Sequence, residues 1–116
     1  MPRKIIKSIK HAKSGMEHAL RSERNLSIHF LLGAIVLAVG GWLEVSFYEL
    51  SLLVIVISMV IVAETFNTAI EELVNILSPG QREEAALAKN VAAAAVLLAA
   101  LGAMVVGGLI FLPKIF

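Results

Sequence analysis

Hydrophobic and polar positions fall into four blocks along the chain. In the first, Ile5, Ile9, Ala12, Met16 and Leu20 recur at spacings of four, three, four and four, one stripe of an α-helix. Lys4, Lys7, Lys10 and Lys13 decorate the rest of that segment. The spacing predicts an amphipathic helix over residues 2–22, which would lie in a membrane surface with its apolar face down or be a soluble helix packed on a partner. Gly15 weakens it locally, by up to about 1 kcal/mol relative to Ala. In the next three blocks the periodicity gives way to continuous apolarity. Nineteen uncharged residues separate Arg24 from Glu44, the 21 residues from Leu50 to Ile70 hold one charge, Glu64, and the 24 from Asn90 to Pro113 hold none. Roughly 20 mostly apolar residues cross a bilayer as a helix. Three spans are therefore expected, over 26–46, 49–77 and 83–112. The expected fold class is an all-α membrane protein, three transmembrane helices plus the N-terminal surface helix, in one membrane domain of residues 1–116. The first apolar run begins too late for a cleaved leader and has two similar runs after it.

The polar residues between the runs set the direction of the spans. Seven basic residues (Arg3, Lys4, Lys7, Lys10, Lys13, Arg21 and Arg24) precede the first run. The loop from Glu44 to Glu49 has none, and that from Glu71 to Lys89 has Arg82 and Lys89. The positive-inside tendency puts the N-terminus and the second loop in the cytoplasm. Lys114 alone runs against it. Trp42 and Tyr48 flank the outer turn, at the level where aromatic side chains gather. Ser78-Pro79-Gly80 closes the second span, and the third helix is expected to open at Gln81, with Glu83 and Glu84 in its first turn. That helix is rich in Ala and Gly, which permit close backbone packing in lipid, so an oligomer is expected.

Composition narrows the chemistry. Hydrophobic residues make up 59% and charged residues 16%, with a formal net charge of +1 and a mean hydropathy of +0.87. That excludes an ordinary water-soluble globule. All nine acids are Glu, so motifs that need Asp are excluded. The absence of Cys excludes disulfides and thiolate sites, and neither a Walker A nor a Gly-x-Gly-x-x-Gly pattern is present. The basic N-terminus suits anionic lipid headgroups, and no nucleic-acid partner is expected.

The remaining polar residues gather at one level. Glu23 precedes the first span, Glu64, Asn67 and Glu71 lie in the cytoplasmic half of the second, and Lys89 and Asn90 begin the third. Glu64, Asn67 and Glu71 are spaced i, i+3, i+7 and share a helix face. At 1.5 Å rise per residue, Glu64 lies about 10 Å deeper than Glu71. A charged side chain at a span's centre costs about 2.5–3.5 kcal/mol on insertion scales, less toward the interface. Glu64 therefore reads as functional, or as a protonated group hydrogen-bonded between helices. Carboxylates and an amide oxygen are hard ligands of the kind magnesium takes, and Lys offers a point charge for phosphate oxygens. A deep Glu can take a proton from a hydroxyl at membrane depth. Those are the parts of phosphoryl transfer, although a small proton-coupled transporter built on Glu64 would share them. Glu72 and His18 are expected to face solvent. For His29, near Glu23, pairing, capping and catalysis are all open.

The run Glu64-Thr65-Phe66-Asn67-Thr68-Ala69-Ile70-Glu71 resembles the Glu-x-x-Asn-(Ser/Thr)-Ala-Ile-Glu signature of the bacterial integral-membrane diacylglycerol kinase and undecaprenol kinase family. Glu23-Arg24-Asn25 with His29, Ala12 with Gly15, and Ala88-Lys89-Asn90 followed by Ala93-Ala94-Ala95-Val96 resemble its flanking motifs. The resemblance implies a homotrimer with active sites shared between subunits, and transfer of the ATP γ-phosphate to a lipid hydroxyl. By matching position it implies Glu64 as general base, Asn67 in support, and Glu23 and Glu71 as ligands of Mg2+ carrying the nucleotide. Lys89 would neutralise phosphate charge, and Lys4 and His11 would be further nucleotide contacts. The acceptor would be undecaprenol or diacylglycerol, with Glu-Arg-Asn…His and Thr68 leaning toward undecaprenol. One position departs. The family has Asp where this chain has Asn90, which keeps size and an acceptor but loses the charge. A catalytically silent homologue that binds nucleotide or lipid without turnover is the alternative this raises.

Overall fold

In a computed structural model, which describes residues 2–80 and 82–116, the protein is four helices: α1 (Pro2–Ser22), α2 (Arg24–Trp42), α3 (Phe47–Leu77) and α4 (Glu83–Ile115). The last three are long and apolar enough to cross a membrane, and they run up, down and up. Gln81, the expected opening of the last helix, lies outside the described residues. The helix starts at Glu83, and the Ser78 hydroxyl of the preceding turn accepts the Arg82 N–H at 3.2 Å. The molecule is a slab, 52 × 42 × 22 Å, so most apolar side chains of its spans stay on the outside, as an integral membrane protein requires.

The turn between α2 and α3 shows why α2 stops at Trp42, short of the 46 at which the first span was expected to end. Glu44 has φ 57°, and its N–H and that of Val45 return to the carbonyls of Gly41 and Gly40 at 3.2 and 3.1 Å. This is a Schellman cap, with Glu where Gly is usual. Ser46 and Glu49 then start α3 at once with a reciprocal capping box. Lys114 closes the far end of α4 on Glu49 at 3.0 Å. The one basic residue at odds with the charge asymmetry is therefore neutralised locally. Trp42, Phe47 and Tyr48 stand exposed around this end.

α1 is amphipathic, and its stripe divides. Ile5 and Ile9 are exposed, whereas Ala19 is buried and Met16 and Leu20 are half-buried. Only its C-terminal end therefore packs on the spans, leaving the first three turns with an unpartnered apolar face.

α3 is the central helix, with α4 packed along it and α2 crossing it. The seam that α1 and α2 present is read off one register. Ala19, Leu26, Gly33 and Gly40, seven residues apart, are all buried. On α3 the buried positions are Leu53, Val60, Glu64 and Thr68. The tightest point is Gly33, where an added Cβ would lie 2.7 Å from Ile57 Cγ2. That methyl branches at Cβ, on a side chain nearly fixed at χ1 in a helix, so it cannot step aside cheaply. Gly33→Ala is expected to cost about 1–3 kcal/mol by overpacking, despite Ala's better helix propensity. Adding Ile57→Ala should recover part of the loss. Unfolding in detergent micelles checks both, and a stable Gly33→Ala single variant would contradict the close crossing.

Candidate active site

The cytoplasm-facing ends expected from the charge pattern are one physical end of the slab. There the start of α2, the end of α3 and the start of α4 come together. Glu23 sits in the break between α1 and α2 with an extended backbone, φ −122° and ψ 107°, at the N-cap of α2. Its N–H still closes the last turn of α1 on Ala19 at 2.9 Å, so the carboxyl is held between two helix termini. The α3 carboxyls of Glu71 and Glu72 gather near it, with Glu64 deeper along the same helix. Burial raises the Glu23 pKa above the ordinary carboxyl value, and a side-chain hydrogen bond with Glu71 raises it further. The charges of Glu71, Glu64 and Glu72 act in the same direction.

Two carboxyls in hydrogen-bond reach need a proton between them or a cation. No cluster of three or more potential metal ligands occurs among the described residues. A Glu23–Glu71 pair is nevertheless the donor set that suits magnesium, which commonly takes one or two carboxylates and fills its shell with phosphate oxygens and water. The residues present fit the ion.

Deeper in, Glu64 is only 6% exposed. His29 Nδ1 lies 2.7 Å from its Oε1, close in distance though off the line of a hydrogen bond, so Nδ1 remains unsatisfied. Glu64 Oε2 and Asn67 Oδ1 are buried with no partner. Thr65 and Thr68, flanking Glu64, spend their hydroxyls on the carbonyls of Ile61 and Glu64 at 2.7 and 3.0 Å. Beyond His29 opens an apolar cavity of about 480 Å³. Val36 from α2, Val60 from α3, and Ala103 and Gly107 from α4 are among its walls.

The sequence-level candidates thus separate into groups. Glu23, Glu64 and Glu71 share one electrostatic neighbourhood, and Asn67 lies on α3 between the last two. Lys89 donates to Asn75 Oδ1 at 2.6 Å, and Asn90 beside it is exposed. Lys4 and His11 are exposed on α1. The helical rise puts them about 28 and 18 Å along the axis from Glu23. Three contacts were not anticipated. His29, for which pairing or capping near Glu23 and catalysis were all open, lies against Glu64, Asn75 holds Lys89, and His18 bonds Glu72 across α1 and α3. Asn75 had a signal, since it continues the Glu64–Glu71 face at i+4 from Glu71. His29 and His18 had none, because their partners lie 35 and 54 residues away in sequence.

A profile described as prokaryotic diacylglycerol kinase matches residues 10–111. The chain is 35% identical over 113 residues to a diacylglycerol kinase of Synechocystis sp., covering 96% of this chain but 64% of that protein, a little under two thirds of its length. It is also 35% identical over 112 residues to an undecaprenol kinase of Bacillus subtilis, covering 97% of this chain and 91% of that one.

The crowded carboxyls carry a stability consequence. A carboxyl whose folded pKa is raised stabilises the fold when protonated, below its unfolded value near 4.5, and that stability is lost as pH rises through the folded value. Glu23→Gln should therefore raise the melting temperature in chelator at pH 7.5, with the gain vanishing at pH 4. An equal gain at both pH values would show that charge crowding is not its cause.

Proposed function

We propose that this chain, which belongs to the prokaryotic diacylglycerol kinase family, transfers the γ-phosphate of ATP to the hydroxyl of a membrane lipid. One observation carries the reading: a buried carboxylate oxygen without a partner, Glu64 Oε2, with a carboxyl pair toward the polar end and, on the other side, His29, which lines an apolar cavity within the span. A water-soluble phosphate donor and an apolar-tailed acceptor can both reach such a group. Few other chemistries need that combination.

In this reading Glu64 is the general base, and it takes the proton of the lipid hydroxyl as the oxygen attacks the γ-phosphorus. Asn67 turns its buried oxygen toward the reacting groups. Glu23 and Glu71 hold Mg2+, whose chemistry when bound is to offset the charge of the phosphates. Lys89 leaves Asn75 to add a cation to the same phosphates. The N-terminus and the α3–α4 turn face the cytoplasm, where ATP is, across the bacterial plasma membrane, and α1 lies in its surface. The subunits assemble as a homotrimer. Lys4 and His11, too far along α1 to reach Glu23 of their own subunit, fit nucleotide contacts in a neighbour's site. The acceptor is undecaprenol ahead of diacylglycerol.

Asn90 favours a second reading, the silent homologue. It is exposed beside Lys89, where a carboxylate would add a charge that the amide lacks.

Purified protein in mixed lipid micelles with labelled ATP and Mg2+ tests both. Phosphate should appear on undecaprenol faster than on diacylglycerol, and Glu64→Gln should lower kcat by about 10²–10⁴, the range of a lost general base. A folded parent that labels neither lipid defeats the kinase reading. A silent parent made active by Asn90→Asp establishes the second reading instead.

A further inference from the structure

The phosphoryl-transfer reading uses Glu64 but leaves unexplained why a histidine faces it. The side chain of Glu64 is 8% exposed and that of His29 28%, and each comes from a different span. Nδ1 and Oε1 stand 2.7 Å apart, within donor–acceptor distance, though not aligned as a hydrogen bond. The hydroxyl donors beside Glu64 are already committed. Both neighbouring threonines are bonded to backbone carbonyls, and among the described residues no Lys or Arg lies within ion-pair distance of Glu64. The approach is built in as well. Gly33, one turn along α2 from His29, lets α2 close on Ile57 of α3, and Ile57 lies two turns from Glu64.

Resting on the kinase reading, we propose that His29 is a positioning residue for Glu64. Its Nδ1–H holds Oε1, so that Oε2 alone is presented to the lipid hydroxyl. In the step itself, Oε2 takes the hydroxyl proton and the lipid oxygen forms its bond to the γ-phosphorus. The bond from that phosphorus to the β-bridging oxygen breaks, and its electron pair leaves on ADP. His29 keeps its proton and touches no reacting atom. The imidazole must turn a little to align its N–H with Oε1. Such looseness before substrate binds is common among catalytic hydrogen bonds.

A carboxylate free to rotate presents its two oxygens in turn and loses orientation, which is felt in kcat rather than in nucleotide binding. Three variants separate this role from a structural one. His29→Ala should lower kcat about 10–100-fold, the range of lost supporting contacts, with the KM for ATP within about two-fold of the parent, as expected for an interaction made in the transition state. His29→Asn, whose amide nitrogen occupies nearly the place of Nδ1, should recover most of the activity. His29→Ala combined with Glu64→Gln should be no slower than Glu64→Gln alone, because the two act as a unit.

Independently of turnover, the ¹⁵N shift of Nδ1 at fixed pH should report a protonated nitrogen in the parent and change in Glu64→Gln. Full activity in His29→Ala, multiplicative losses in the double variant, or an Nδ1 shift indifferent to Glu64 would each overturn the positioning role while leaving the kinase reading intact. A folded parent without phosphate transfer overturns both, and the ¹⁵N shift then still shows whether the contact exists.

Discussion

The constraint on which the rest of this structure depends is the burial of one carboxylate inside a membrane span. Glu64 sits about two turns below the polar end of α3, where lipid offers it no hydrogen bond and exposure to hydrocarbon would be costly. It is tolerable only against protein. The α2–α3 crossing supplies that protein surface through Gly33, whose missing side chain admits Ile57, and the same crossing delivers His29 to the carboxylate. The close packing of Gly33 and the His29–Glu64 contact share one line. A substitution chosen to alter either will disturb the other.

The two ends of the slab solve opposite electrostatic problems. At the α2–α3 turn, Glu49 is satisfied three times: its N–H donates to Ser46 Oγ, its carboxylate accepts the Ser46 N–H, and Lys114 pairs with it, and the result is a closed structural end. At the other, Glu23 and the α3 carboxyls crowd together, and among the described residues no Lys or Arg pairs with them, Glu72 bonding His18 instead. Lys89, the nearest cation of α4, is turned to the Asn75 amide. A fold concerned only with stability would have paired these charges as it did the others. This end therefore holds more negative charge than its own cations offset, and it is the end on which the proposed nucleotide site is placed.

Much of this was legible in the chain itself. The three spans followed from runs of 19 to 24 residues with at most one charge, because a bilayer imposes its own length on any helix that crosses it. The surface helix followed from the 3.6-residue period of Ile5 to Leu20. Glu64, Asn67 and Glu71 could be placed on one face because i, i+3 and i+7 spacing is a local property of a helix. The helix ends were less legible. That α2 stops at Trp42 depends on a Schellman cap carrying Glu44 at positive φ, and no propensity marks a Glu for that role.

What the sequence determined by itself was the set of helices and the membrane level of each polar side chain. Both follow from interactions among residues within about two turns of each other and from the thickness of the solvent layer. Which polar groups meet was decided only by the tertiary structure. His29 on Glu64, His18 on Glu72 and Lys89 on Asn75 depend on how far one helix is rotated and shifted against the next. A residue with no side chain, Gly33, sets that rotation where α2 meets α3, and its effect becomes visible only once Ile57 stands opposite.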